Sequence, residues 1–584
     1  MALPTYTMAC FLLPKSICQQ IMSILSDFWW RNSHESRGMH WKSWESLCKR
    51  KSGGGLGFKD LEAFNIALLG KQLWRLLTNK NSLVSRIFRS RYFKNSDPLS
   101  APLGSRPSYA WRSIHAAQGL VKQGARMMIG NGRDTKVWQD RWLGSKPASP
   151  ALSMRMCSEG DRLRVSEELM VSDLRCNSGR DWNHVLLDKM FAPETREQIK
   201  KIHPAGRSGT DTYSWEYTKS GHYTVKSAYW VQVNVLDAKE KDSTVLQPSL
   251  DGIYQQVWSI ETSPKIRHFL WRCLSNALPV AENMVHRHIA KDKRCSRCGE
   301  EAETVNHLLF LCLYARLVWA MANVHIPPAG RWSDSFFSNL YWVLNLKKEY
   351  PKEEIEEDLI PWLLWRLWKN RNEFLFRSRE YTAPATVVKA REDTTAWRSR
   401  EEVKPVEAKT PTLEAPTKRW TPPQATRLKC NTDGSWKQET GEGVVGWVLR
   451  DSMGNLMWVG AKRITGMGSE LEVEAEALRW AAQVLTGFGY RNVTFETDSQ
   501  VLSKMLSGEE ATWPRVRPFI QEIGASVAGM NEAEVVYYPR SGNKVADRIA
   551  KETATFTSFV PKLYYIVPSW LFACMEVDKS VVEH

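Results

Sequence analysis

The chain has 584 residues, 43% of them hydrophobic, which is enough apolar material for several cores and excludes a wholly disordered polymer. Lys and Arg number 80 against 64 Asp and Glu, and the resulting +16 points to polyanionic partners more than to acidic small molecules. Eleven scattered cysteines exclude a disulfide scaffold, and no stretch approaches about 18 uninterrupted apolar residues. The opening MALPTYTMACFLLPKSICQ lacks the basic start of a secretory signal, so neither secretion nor membrane association is expected, and a nuclear or cytoplasmic place follows only from the expected polyanionic partner.

Residues 1–145 hold 22 Lys/Arg and 8 Asp/Glu, so this segment carries 14 of the 16 net charges. Its cations alternate with aromatics in HWKSWESLCKRK, KQLWRLL and SRIFRSRYFK. That interleaving suits a phosphate backbone beside stackable bases, but the same rings could be the core of a basic helical domain, and the pattern leaves both open. Gly53, Gly54, Gly55 and Gly57 read as a loop, because no Gly-Lys-Ser/Thr follows them. Leu61, Phe64, Leu68, Leu73 and Leu76 recur at helical spacing and predict an amphipathic helix within 59–93, followed by a second.

Residues 145–210 read as loops and short helices. YSWEYTKSGHYTVKSAYW (213–230) predicts a hairpin about Ser220-Gly221 that feeds a helix at Val225–Val231. Helical patterns follow at 264–290 and at 359–378, the latter with a stripe of Trp362, Leu363, Leu367 and Trp368. Five prolines between Val403 and Ala425 predict an extended linker. From Thr426 the pattern becomes three strands, a helix from Ser469 to about Leu485, the strand NVTFETDS, two helices, the strand EAEVVYYPR and a last helix. That order predicts a layered α/β domain.

Two constellations carry chemistry. Cys295, Cys298, His307 and Cys312 form C-x2-C-x8-H-x4-C. Two cysteines on one knuckle and a His and Cys from a helical turn complete a tetrahedral site for one Zn²⁺, and with every position filled by protein the ion is structural. The second is spread over the last domain: Asp433 where a first strand meets a turn, Glu474 one turn into the following helix, Asp498 ending a strand, and Asp547 in the opening turn of NKVADRIAK. Acids so crowded are tolerated when divalent cations neutralise them, and hard oxygen donors favour two Mg²⁺ ions. Spacing by itself does not choose among Glu470, Glu472, Glu474 and Glu476.

NTDGS, EVEAEALRWA, FETDS and PRSGNKVADRIAK, in this order, resemble the type 1 ribonuclease H fold of plant retroelements across 426–555. The resemblance implies a mixed sheet with flanking helices, catalytic metal ligands at Asp433, Glu474, Asp498 and Asp547, and hydrolysis of the RNA strand of an RNA/DNA hybrid. It favours Glu474 over Glu476 because a small residue, Ala477, stands three positions on. Where the family often carries a His, two residues before the Pro of the final strand, this chain has Tyr537, which puts the rate in doubt. GGGLGFKDLEAFNIALLGKQLWRLL, MMIGNGRDTKVWQDRWL, YSWEYTKSGHYTVKSAYW, PKIRHFLWRCLSNALP and the Cys/His knuckle look like the tail of a plant non-LTR retrotransposon polyprotein, including its reverse transcriptase zinc-binding domain. No Asp-Asp pair occurs, so polymerase activity is not expected.

The expected organisation is multidomain and mainly helical before the nuclease-like part. It runs as a basic region 1–145, a connector 146–210, a zinc-binding domain 211–325, a helical segment 326–402, a linker 403–425, the ribonuclease H-like domain 426–555 and a tail 556–584. The expected activity is metal-dependent endonucleolysis of hybrids, with the basic region and zinc module binding nucleic acid, RNA included. The competing expectation is a decayed retroelement remnant that binds without turnover, since residues 426–555 hold 15 Lys/Arg against 17 Asp/Glu and would grip a polyanion weakly.

Overall fold

In the last third of the chain, β-branched and aromatic residues in near-continuous runs form strands, of which the central ones are buried on both faces. We label its elements in chain order: β1 Leu428–Lys437, β2 Glu442–Arg450, β3 Leu456–Ile464, α1 Glu470–Gly487, β4 Val493–Thr497, α2 Gln500–Ser507, α3 Arg517–Ala528, β5 Glu534–Tyr537, α4 Lys544–Thr553, β6 Lys562–Tyr564 and α5 Ser569–Lys579. The computed structural model describes residues 2–31, 38–94, 96–143, 148, 169–176, 181–200, 202, 209–237, 249–299, 302–351, 354–356, 358–402 and 419–579.

The sheet order is β5-β4-β1-β2-β3-β6. β1 runs parallel to β4 and β4 parallel to β5, while the β1/β2, β2/β3 and β3/β6 pairs are antiparallel, so the sheet is mixed as expected. α1 covers one face through Val473, Ala477, Leu478, Ala481 and Leu485, which pack with Cys430, Val445, Trp447 and Phe495. Val545 and Ile549 of α4 cover the other face with Val448, Val459 and Ala461. A Cβ at Gly446 would lie 2.7 Å from Ile549, so the missing side chain is what lets α4 approach β2.

The tail departs from expectation. β6 adds a sixth strand beyond residue 555, and Leu571 and Met575 of α5 complete the α4-side core. Arg450, buried in β2, is paired with Asp578 at 2.7 Å and stacked over Trp420 at 3.8 Å. Of the expected linker, residues 403–418 lie outside the described residues; Trp420 is buried and its indole donates to Asn431.

The chain divides into two compact units, Met1–Leu12 with Ala63–Lys241 and Pro411–His584, and Leu13–Glu62 with Asp242–Thr410. The basic segment 1–145 is therefore shared between them. In the first unit, helices Leu61–Thr78, Leu83–Tyr92 and Tyr109–Ala116 pack around Leu73, Trp74, Phe93, Trp111 and Trp215. Of the rings that the sequence left open between stacking surface and core, Trp74 and Phe93 are core. The predicted hairpin at 213–230 does not form. Thr212–Trp215 pairs antiparallel with Ala125–Met128 instead, because a tight turn closed by Trp215 N–H donating to Gly221 leads straight to Thr224, which caps the helix Val225–Val231.

In the second unit the predicted 264–290 helix is two, Pro264–Leu274 and Ala281–His286, broken where Asn276 takes a positive φ of 49°. Helix Leu359–Arg377 buries Leu363, Leu367 and Trp368 as its stripe implies. It is tied to the cysteine segment by Arg371, which holds buried Glu303 at 2.5 Å. No helix among the described residues is long and apolar enough to cross a membrane.

Candidate metal centres

The start of α1 is set by Ser469 and Glu472. The Ser469 hydroxyl accepts from Glu472 N–H at 3.3 Å and the Glu472 carboxylate accepts from Gly468 N–H at 2.8 Å. This capping pair places Glu474 one turn in, facing the end of β1. There a Cβ on Gly434 would sit 2.8 Å from the Val473 side chain, so the glycine allows the helix to close on the strand, and its N–H donates to Glu474 Oε1 at 3.2 Å. Asp433 lies inside β1, paired with Gly446 of β2, and not where the strand meets a turn as expected, because the β1/β2 ladder continues to Lys437. Asp498 arrives by register, since Thr432 of β1 faces Thr497, the last residue of β4, and Asp498 follows directly. Asn543 donates to the Thr432 carbonyl at 2.9 Å and so draws the start of α4, with Asp547, to the same edge.

Ligand oxygens of Asp433, Glu474 and Asp498 all lie within 4.8 Å of one another. Burial, then the charges of Asp498 and Asp547, push the Asp433 carboxyl up to about 8. Burial, then Asp433 and Asp498, hold Glu474 well above the usual carboxylate range, and burial raises Asp498 as well. Glu474 Oε2 is buried with no hydrogen-bond partner. An orphaned carboxylate oxygen facing two crowded acids is the donor set a hard divalent cation would satisfy, so the residues fit such an ion.

Asp547 is not in that group of three. Its carboxylate is held by Arg540 at 3.2 Å and Lys551 at 2.5 Å. The other acids of α1 are occupied elsewhere: Glu476 is fully buried against Arg479 at 2.6 Å and Lys462 at 3.4 Å, Glu472 caps the helix, and Glu470 is exposed. Tyr537 is exposed at the end of β5. Arg540 was not singled out from the sequence. Its charge acts on Asp433, Asp498 and Asp547 together, and its place in the turn before Asn543 is the only hint the sequence holds.

In the second unit, ligand atoms of Cys295, Cys298, His307 and Cys312 also lie within 4.8 Å of one another. Cys295 and Cys312 sulfurs are 3.9 Å apart, and Cys298 Sγ lies 3.4 Å from His307 Nε2. His307 and Cys312 come from one turn, in which Cys312 N–H donates to the His307 carbonyl at 2.7 Å. The Cys312 hydrogen bond pushes the Cys295 thiol down to about 3, and hydrogen bonding to Cys295 lifts His307 to about 9. Three sulfurs and one imidazole nitrogen fit Zn²⁺.

A family described as "Reverse transcriptase-like" matches residues 431–553, and one described as "zinc-binding in reverse transcriptase" matches residues 223–319. An uncharacterized mitochondrial protein of Arabidopsis thaliana is 46% identical over 154 residues, 26% of this chain and 100% of that protein. The chain belongs to the plant retrotransposon-derived proteins that carry a reverse transcriptase zinc-binding domain and a ribonuclease H-like domain. A second Arabidopsis thaliana member of this retroelement-derived group, provisionally named a ribonuclease H protein, is 26% identical over 512 residues, 86% of this chain and 78% of that one. Ribonuclease HI of Halobacterium salinarum is 27% identical over 132 residues, 22% of this chain and 66% of that protein. The crystal structure of RNase H1 from the same archaeon aligns with 22% of this chain and 97% of that one, at 27% identity and a TM-score of 0.21.

Proposed function

We propose that residues 426–555 hydrolyse the RNA strand of RNA/DNA hybrids with divalent metal, as Mg²⁺, held by Asp433, Glu474 and Asp498, and with Asp547 completing a second position. The observation that carries this reading is the meeting of three carboxylates, two buried and Asp498 half-buried, one of them with an oxygen that nothing in the protein satisfies. Bound Mg²⁺ supplies an activated water and stabilises charge on the leaving oxygen. The chain's own residues do the rest. Asp433, within β1, and Asp498, directly after the parallel β4, present oxygens from neighbouring rigid strands, and Glu474 is aimed by the Gly434 N–H. Asp547 is oriented by ion pairs with Arg540 and Lys551, which place two positive charges beside the acids. Two magnesium ions and one structural zinc at Cys295, Cys298, His307 and Cys312 are the complement we assign.

A second reading is a binder that no longer cuts. It is favoured by Asp547 being engaged in two ion pairs and by Tyr537, a phenol where an imidazole would exchange protons near neutral pH. A labelled hybrid incubated with the full chain separates the two. Cleavage in Mg²⁺, with 3′-hydroxyl and 5′-phosphate ends, absent with chelator and lost by on the order of a thousandfold in Asp433→Asn, is the expected outcome. Hybrid that is shifted on a gel but left intact supports the second reading.

A further inference from the structure

The nuclease-like domain is acidic overall, with 15 Lys/Arg against 17 Asp/Glu over 426–555, yet its proposed substrate is a polyanion. A different part of the same compact unit has the opposite balance. Residues 63–126 contain eleven Lys/Arg and one acid, Asp97. All of those cations except Arg126 are exposed, and none of the ten exposed ones is in an ion pair among the described residues. Asp97 is largely buried, accepting from the Tyr213 hydroxyl at 3.0 Å and from Leu99 N–H at 2.8 Å, so it does not offset them at the surface.

The aromatic residues that alternate with these cations are turned inward. Trp74 and Phe93 are core, and Tyr92 stacks on buried Trp111 at 5.1 Å. With most rings spent on packing, and exposed Tyr109 set against Phe11, the surface offers much charge and few stacking platforms, which suits phosphates of a duplex better than the bases of a single strand. Residues 210–221, whose Trp215 lies in the core of this helical module, also touch the nuclease-like domain. Arg515, just before α3, donates to the Glu216 carbonyl at 2.9 Å and lies 3.7 Å from Glu472, the residue that caps α1. Thr210 N–H donates to Gln521 of α3 at 3.0 Å. A Cβ at Gly221 would meet Arg515 at 2.9 Å, so a glycine is needed where the two pack.

We propose that residues 63–122 are the nuclease domain's own grip on duplex nucleic acid, binding the phosphate backbone without reading bases. The inference rests on the hybrid-nuclease reading for the identity of the duplex. It assigns binding to this module and not to the cations at 42–51, which belong to the other unit. Exposed Leu83, Val84 and Ile87 lie beside Arg86 and raise an anionic membrane as the alternative ligand. The cations are spread over four helices and their loops, not along one amphipathic face, which favours the duplex.

The test uses the full chain with chelator, measuring affinity for a labelled RNA/DNA hybrid against KCl. In Arg86→Gln/Arg89→Gln/Arg91→Gln the slope of log K against log salt should shrink by about 2 to 3, and affinity near physiological salt should fall roughly tenfold or more. Lys49→Gln/Arg50→Gln/Lys51→Gln should leave both unchanged, and thermal unfolding of each variant checks that it folds. In Mg²⁺ the first variant should show a raised KM with kcat retained. A slope equal to the unsubstituted protein's, or an equal loss in the second variant, overturns the proposal. So does a first variant that loses binding to phosphatidylserine vesicles while keeping the hybrid. If the unsubstituted protein leaves the hybrid uncut while the slope still shrinks, the nuclease reading fails and the grip stands.

Discussion

The two metal-type clusters are built on opposite plans. The cysteine knuckle draws its four donors from Cys295 to Cys312, one short stretch, and surrounds its centre completely. The acidic site draws Asp433, Glu474 and Asp498 from a strand, a helix and a second strand, and leaves Glu474 Oε2 unsatisfied. A set of soft donors that closes on itself holds a fold together; a set of hard donors left open is a place where chemistry happens. The lesson concerns stability too. A knuckle of this kind would gain stability from a bound metal, while crowded acids cost stability without one.

The largest expected effect lies on the knuckle side. Cys298→Ser should abolish zinc content and lower the stability of the second unit by about 4 kcal/mol or more, read as an earlier calorimetric transition. Unchanged zinc and unchanged unfolding would remove the closed site from the comparison. A paired substitution sharpens the open one. Glu476→Gln should destabilise the domain by about 3 kcal/mol, because it uncouples buried Arg479 and Lys462 while leaving metal affinity intact. Glu474→Gln should do the reverse, losing metal with no loss of stability, since it removes one of three crowded acids.

The smallest effect is a pH dependence. With Asp433 at about 8 in the fold and near its ordinary value when unfolded, the folded state binds the extra proton between roughly pH 4 and pH 8. Stability in chelator should therefore fall as pH rises through that window and recover when Mg²⁺ is added. Asp433→Asn should flatten the slope; a slope that survives the substitution assigns it to another group.

Much of the site was legible because local signals agreed with the fold. The start of α1 at Ser469 and its end near Leu485 were legible, with Leu478 and Leu485 on its buried side. The knuckle was legible from spacing because its donors are neighbours. The choice between Glu474 and Glu476 was not, since both are buried and only the three-dimensional partners, Asp433 for one and Arg479 for the other, tell them apart. The pairing of Thr212–Trp215 with Ala125–Met128 was missed because strand alternation does not say which partner closes the ladder. The tail was missed because β6 is only three residues long and α5 draws its stability from Leu571 and Met575 beneath the sheet. Trp74 and Phe93 went inward because large rings gain more from burial than from solvent, while their neighbouring cations stayed out.

Binding of Mn²⁺ to the full chain, followed by electron paramagnetic resonance at neutral pH, tests the acidic site without relying on turnover. Bound Mn²⁺ that Mg²⁺ displaces, and that is lost in both Asp433→Asn and Glu474→Gln while each variant keeps its unfolding transition, is the predicted result. Equal Mn²⁺ affinity in the two folded variants and the unsubstituted protein would contradict a metal centre at these carboxylates.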